Sequence, residues 1–150
     1  MNRTTNTIIG ITSIAIGGMI YMLWRKQTLL MFSWFNNMGM RDAVEAMRRA
    51  ASGYYPLIPQ WVCFSLPTAL WLFGGILLFW SIWENDFYER YFWVAIFSFI
   101  AVGAELGQLI GFIPGTYDPK DVILMVLSIV LAIVLNKKQK PKEIENAKNI

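Results

Sequence analysis

Apolar residues gather into four blocks along this chain, Thr7–Trp24, Trp61–Trp83, Tyr91–Ile113 and Val122–Leu135. A hydrocarbon core of about 30 Å is crossed by roughly 20 helical residues. The first three blocks meet that length, and the fourth does so when extended over 121–136. The pattern predicts an all-α membrane protein: a four-transmembrane-helix bundle in one domain over 1–136, with spans at 7–24, 61–83, 91–113 and 121–136. Between the first two blocks, Met31, Trp34, Phe35 and Met38 recur at helical spacing. Met40, Val44, Met47 and Ala51 repeat it, with Arg41, Glu45, Arg48 and Arg49 on the opposite face. Residues 27–52 are therefore expected to form amphipathic helices lying in the interface, with Glu45 and Arg49 as an i,i+4 pair. The lysine-rich tail, 137–150, is expected to be disordered.

Within the blocks, a few residues break the apolar pattern. Ser13 and Gly17 form a small-xxx-small pair suited to close helix contact. Pro67 interrupts the second block and predicts a kink, because proline lacks the backbone donor and crowds the preceding turn. The short connection Glu84–Arg90 forces an antiparallel hairpin. In the third block Gly103, Gly107 and Gly111 stack at i,i+4 spacing, a helix-packing face for a neighbouring backbone. Glu105 lies on the other side, with Gln108 one turn on. An ionised carboxyl in hydrocarbon costs roughly 2.5 kcal/mol or more, so Glu105 is expected to face a bundle interior or cavity. Pro114-Gly115 and Asp118-Pro119 mark a turn, and Asp118 or Asp121 is placed to cap the last helix.

Composition narrows the chemistry. Of the 150 residues 56% are hydrophobic and only 15% charged, far from a soluble domain. The net charge of +3 comes from cations at helix ends and in the tail, a distribution that meets anionic lipid and not nucleic acid. A single cysteine, Cys63, precludes an internal disulfide. The absence of histidine removes the common zinc sites and histidine-based triads, and no metal or other cofactor is expected. With four spans, seven cations lie on the side of the termini and six on the other, so the positive-inside rule separates the sides weakly. The expectation is that both termini are cytoplasmic.

The last half of the chain resembles a known family. Glu105-x-x-Gln108, then Pro114-Gly115-x-x-Asp118-x-x-Asp121, then an apolar helix, is similar to the VanZ-like family of small multi-pass bacterial membrane proteins. Ser65-Leu66-Pro67-Thr68 with Leu70-Trp71 also resembles sequences of that group. The chain departs from the family at Thr116, where arginine is usual, at Met125 (asparagine) and at Ser128 (glycine). The resemblance implies the bacterial cytoplasmic membrane, a cell-envelope role, and an effect on sensitivity to teicoplanin-type glycopeptides.

Three functional classes remain open from sequence. One is a modulator that binds an amphipathic or lipid-linked ligand through Glu105, Gln108, Thr116, Asp118 and Asp121. Another is an accessory subunit whose glycine face docks on a protein partner or a second copy in the membrane. The third is an intramembrane enzyme with Glu105 and either Asp118 or Asp121 as acid and base. No nucleophile with an adjacent activating base accompanies those carboxylates, so the enzyme is the least favoured.

Overall fold

The computed structural model describes residues 1–137, and every regular element within them is helical. In chain order these are α1 (Arg3–Trp24), α2 (Leu30–Asn37), α3 (Arg41–Ser52), a 3-10 turn (Tyr55–Leu57), α4 (Gln60–Phe64), α5 (Leu66–Ile82), α6 (Phe87–Leu109) and α7 (Pro119–Asn136). Three of them, α1, α6 and α7, are long and apolar enough to cross a membrane. The fourth apolar block is represented by α5, which at 17 residues is shorter. The tail expected to be disordered lies outside the described residues apart from Lys137.

Capping chemistry moves the helix ends away from the ends of the apolar blocks. The Asn2 side chain accepts from the Thr5 amide at 2.8 Å, which starts α1 at Arg3 instead of residue 7. Asp86 does the same for α6, accepting from the Glu89 amide at 3.1 Å. That helix was expected over 91–113 but runs from Phe87 to Leu109. Its end is set by Gly111, whose φ of 72° suits only glycine well. The amide of Gly111 bonds to the Gln108 carbonyl at 3.1 Å and that of Phe112 to the Gly107 carbonyl at 2.8 Å. This paired closure satisfies two of the last carbonyls and turns the chain off the helix axis. Gly111 therefore stands beyond the helix, and the expected three-glycine face is not formed. Gly107 is covered by the Ile113 side chain folding back, while Gly103 meets open space.

The second apolar block is interrupted where proline predicts it. Between α4 and α5 the helix is interrupted at Ser65, and Pro67, which has no N–H to give to the preceding turn, sits in the first turn of α5. Cys63, Ser65 and Pro67 are all buried, so this break is packed inside the molecule.

Packing centres on α5, which touches α1, α6 and α7 while α6 and α7 touch each other little. Its Leu72, Ile76, Leu77 and Trp80 form the core with Val94 of α6 and Met125 and Ala132 of α7. A helix apolar all round is a buried helix, and α5 fits that rule. The outer helices are built the other way. On α1 the buried positions are Asn6, Gly10, Ser13 and Gly17, whereas Ile8, Ile11, Ile16 and Met19 are exposed. On α7, Ile123, Leu127, Val130 and Val134 are exposed. Where lipid is the solvent, burying apolar side chains brings no gain over leaving them outside, and small residues that allow close approach are favoured inside.

Contact between α1 and α5 is backbone to backbone. A Cβ on Gly10 would stand 2.9 Å from the Gly74 carbonyl oxygen, and one on Gly74 would stand 2.6 Å from that of Gly10. Either side of this crossing, Trp71 Nε1 donates to the Ile14 carbonyl at 3.2 Å and the Thr7 and Ser81 hydroxyls share a hydrogen bond at 2.5 Å. Nearer the termini, Asn6 Nδ2 donates to Asn136 Oδ1 at 2.9 Å, joining α1 to α7. The N-terminal ammonium group donates to the Leu135 carbonyl at 3.3 Å, so both described chain ends meet at one end of the helices.

At the other end, α2 and α3 occupy the region expected to hold interfacial helices. Phe32 and Val44 are buried, while Leu30, Trp34, Met38 and Met47 are exposed. The ion pair differs from the expected one: Glu45 bonds Arg41 Nε at 2.8 Å and not Arg49. That bond holds the Glu45 carboxyl below its usual range and the Arg41 guanidinium above its own. Arg49 is free to point elsewhere because i−4 is as close as i+4 on a helix.

Replacing Gly10 or Gly74 tests the α1–α5 crossing. Gly74→Ala and Gly10→Ala are each expected to lower stability by about 1–3 kcal/mol through overpacking. Gly18→Ala, on the same helix with nothing within 4 Å, should be neutral or slightly stabilising. Unfolding of the three variants in mixed detergent micelles reads the difference, and equal stability of all three would contradict the packing described.

Candidate functional site

The C-terminal end of α6 and the start of α7 hold the acidic residues that interrupt the apolar pattern. Glu105 is one turn before the end of α6 and only 9% exposed. Its Oε1 accepts a long hydrogen bond from Gln108 Nε2, at 3.4 Å. Its Oε2 is buried and has no partner among the described residues. Asp118 and Asp121 stand near enough to act on Glu105 electrostatically. Asp118 caps α7, its Oδ1 accepting from the Lys120 amide at 2.9 Å. Pro119 follows at the first helical position, where its missing N–H costs nothing. Asp121 is left without a capping role, and its Oδ1 is also buried with no partner among the described residues.

The turn between the helices shapes this nest. Gly115 has φ 152°, a conformation that disfavours any other residue, and a Cβ there would lie 2.5 Å from Gln108 Oε1. The close approach of Gly115 holds the Gln108 side chain in place beside Glu105. Four of the five residues expected from sequence, Glu105, Gln108, Asp118 and Asp121, are thus brought together. The fifth, Thr116, is exposed in the turn and makes no hydrogen bond to the others. Among the described residues no group of three or more His, Cys, Asp or Glu side chains is placed to hold a metal ion.

Chemically the nest is rich in acceptors. Two buried carboxylate oxygens are aimed at no donor, and each unsatisfied buried polar atom costs about 1–3 kcal/mol. Such a site suits a hydrogen-bond donor or a cation. Among the described residues no hydroxyl or thiol is hydrogen-bonded to these carboxylates, the pairing that nucleophilic catalysis uses.

No family model matches the chain, and no curated protein or solved structure is detectably similar to it. The site therefore rests on its own geometry.

Two further features escaped the sequence reading. Clefts of about 580 and 150 Å³ lie against α3, and Glu105 lines neither. The pairing of Arg48 and Arg49 beside the aromatic end of α1 was the available signal for the larger one. The other is Arg90, only 3% exposed, whose guanidinium stands 5.4–5.7 Å from the rings of Trp80, Tyr91 and Phe87 and donates to the Glu84 carbonyl at 3.2 Å. Its place between aromatic residues at the start of α6 was visible as spacing, but not its burial.

Gly115→Ala is expected to cost about 1–3 kcal/mol, from backbone strain together with displacement of Gln108. Thr116→Ala should stay within about 0.5 kcal/mol of the parent. Thermal unfolding in detergent distinguishes the two, and a neutral Gly115→Ala would mean that the turn does not hold Gln108.

Proposed function

We propose that this chain is a multi-pass protein of the bacterial cytoplasmic membrane that binds an amphipathic or lipid-linked ligand of the cell envelope at the Glu105 nest. The observation that carries the reading is the pair of buried, unpartnered carboxylate oxygens, Glu105 Oε2 and Asp121 Oδ1, on adjacent helix ends. A ligand head bearing an amine or hydroxyl would satisfy both. Sparse contact between α6 and α7 supports entry of an acyl chain from the lipid between those helices. The VanZ-like resemblance of the Glu105 to Asp121 stretch adds the setting, in which the protein modulates sensitivity to teicoplanin-type glycopeptides.

The reading includes four membrane crossings, with α4 and α5 together as the second. At 1.5 Å per residue α5 alone reaches roughly 25 Å, and the turn of α4 adds the remainder. Both termini are then cytoplasmic, on the same face. Single-cysteine labelling on a Cys63→Ala background tests this: positions in 41–49 and in 138–150 should label from opposite sides, and labelling from one side only would refute the four-crossing arrangement.

In a host lacking the chain, the wild type should shift teicoplanin sensitivity and Glu105→Ala should abolish the shift at unchanged protein level. Glu105→Gln keeps one acceptor and the side-chain volume, so it should retain part of the effect. Equal tolerance of alanine and glutamine would reduce Glu105 to a packing residue. The accessory-subunit alternative draws on the exposed face of α6, where Gly103 is unobstructed beside Phe99 and Leu106. It predicts that Gly103→Leu, and not Glu105→Ala, removes the effect.

A further inference from the structure

Where α1 ends and the chain turns towards α2, Trp24, Gln27, Arg48, Arg49, Ser52 and Tyr55 line an open cleft of about 580 Å³. Arg48 is fixed within it. Its Nη1 donates to the Met22 carbonyl and its Nη2 to the Arg25 carbonyl at 2.8 Å, and its guanidinium lies 5.0 Å from the Phe32 ring centroid. These bonds satisfy carbonyls at the C-terminus of α1 and offset the negative end of its dipole, which would otherwise repel an anion. Burial lowers the affinity of this guanidinium for its proton, yet an arginine remains charged at any physiological pH. Arg49 makes no ion pair or hydrogen bond through its side chain among the described residues. One acid, Glu45, also lines the cleft, but Arg41 binds it at 2.8 Å. The field in the cleft is therefore positive.

The surroundings locate this charge at a membrane surface. Trp24 and Tyr55 are the aromatic types enriched at headgroup level, and the neighbouring helices expose Leu30, Trp34 and Met38. A planar guanidinium matches a phosphate with two parallel hydrogen bonds, and Gln27 supplies an amide donor beside it. We propose that the cleft between α1 and α3 binds the phosphate of an anionic amphipath, with Arg49 as the contacting cation and Arg48 as a positioning residue. This second site is separate from the Glu105 nest and does not depend on it. A phosphate group reaches it either on a lipid headgroup or as the free ion.

Native mass spectrometry of the full chain released from nanodiscs of mixed phosphatidylcholine and phosphatidylglycerol tests the proposal. The wild type should retain phosphatidylglycerol in preference to phosphatidylcholine. Arg49→Gln should weaken that retention about tenfold, as expected for losing a charge-assisted hydrogen bond, and Arg49→Lys should recover part of it. Lys120→Gln removes an exposed cation that does not line the cleft and should leave retention unchanged. Competition by inorganic phosphate assigns the free ion as a ligand of the site, and its failure assigns the lipid headgroup. Should Arg49→Gln fail to insert, Gln27→Ala carries the same test with a smaller loss. Equal weakening by Arg49→Gln and Lys120→Gln, or a wild type without preference for the anionic lipid, would overturn the proposal.

Discussion

Close approach of α1 and α5 at Gly10 and Gly74 is the contact on which the arrangement depends. Each backbone occupies the space a methyl group would need on the other. Three features of the sequence follow from that one constraint. The inner stripe of α1 must be small, hence Gly10, Ser13 and Gly17. With the helices this near, short polar side chains can reach across, as Thr7 reaches Ser81. Trp71 Nε1 can also bond to the opposing carbonyl of Ile14. In a medium that rewards no apolar burial, this combination of contact and hydrogen bonding is what holds helices together.

Polar groups sit mainly at the two ends of the helices, and the ends differ in kind. At the end near the termini, Asn6, Thr7, Ser81 and Asn136 bridge α1, α5 and α7 in mixed donor–acceptor pairs. Asn136 also donates to the Ala132 carbonyl at 3.0 Å, which fixes its orientation for the bond from Asn6. Those bonds give each of these residues a structural role, with Asn6 Oδ1 left as a buried atom without a partner among the described residues. At the opposite end the unpartnered atoms of Glu105 and Asp121 are both carboxylate oxygens, and two acceptors cannot satisfy each other without a shared proton or an outside donor. A bundle needing only cohesion gains nothing from that arrangement, which is why the acidic end is read as a site.

Hydropathy alone placed the apolar elements in the sequence, because membrane crossing imposes a minimum apolar length. It could not place their ends. Whether α6 stops at Leu109 or Ile113 is decided by Gly111 adopting a positive φ, and a glycine in an apolar run reads equally well as a packing residue. The acidic nest was legible for a related reason: charge inside an apolar run has few bland explanations. Thr116 was grouped with it because it stands where the resembled family has arginine, and the turn carries it outward instead. The partner of Glu45 was ambiguous in principle, since Arg41 and Arg49 are equidistant along the helix, and the third dimension decides between them. Arg48 looked like part of a solvated polar face, yet it reaches α1 because that helix leaves carbonyls unbonded at its end.

The break at Ser65 draws these observations together. A kinked helix beside a buried carboxylate suggests room for a ligand, but the kink here is filled. The Pro67 carbonyl lies 3.0 Å from where a Cβ of Gly17 would be, and the Trp71 indole closes the same contact at 2.9 Å. Gly17 is therefore small because the bent chain of α5 passes close to it. One turn further, Ser128 of α7 donates to the Ala69 carbonyl at 3.0 Å, so α7 is tied to the same stretch of α5 from another side. The kink thus serves packing, and it aligns α5 against α1 and α7 at once. Because α6 is held mainly by α5, its contact with α7 beside Glu105 is sparse, and this needs no hinge at proline. The acidic end lies on α6 and α7, away from the α1–α5 contact that holds the arrangement together.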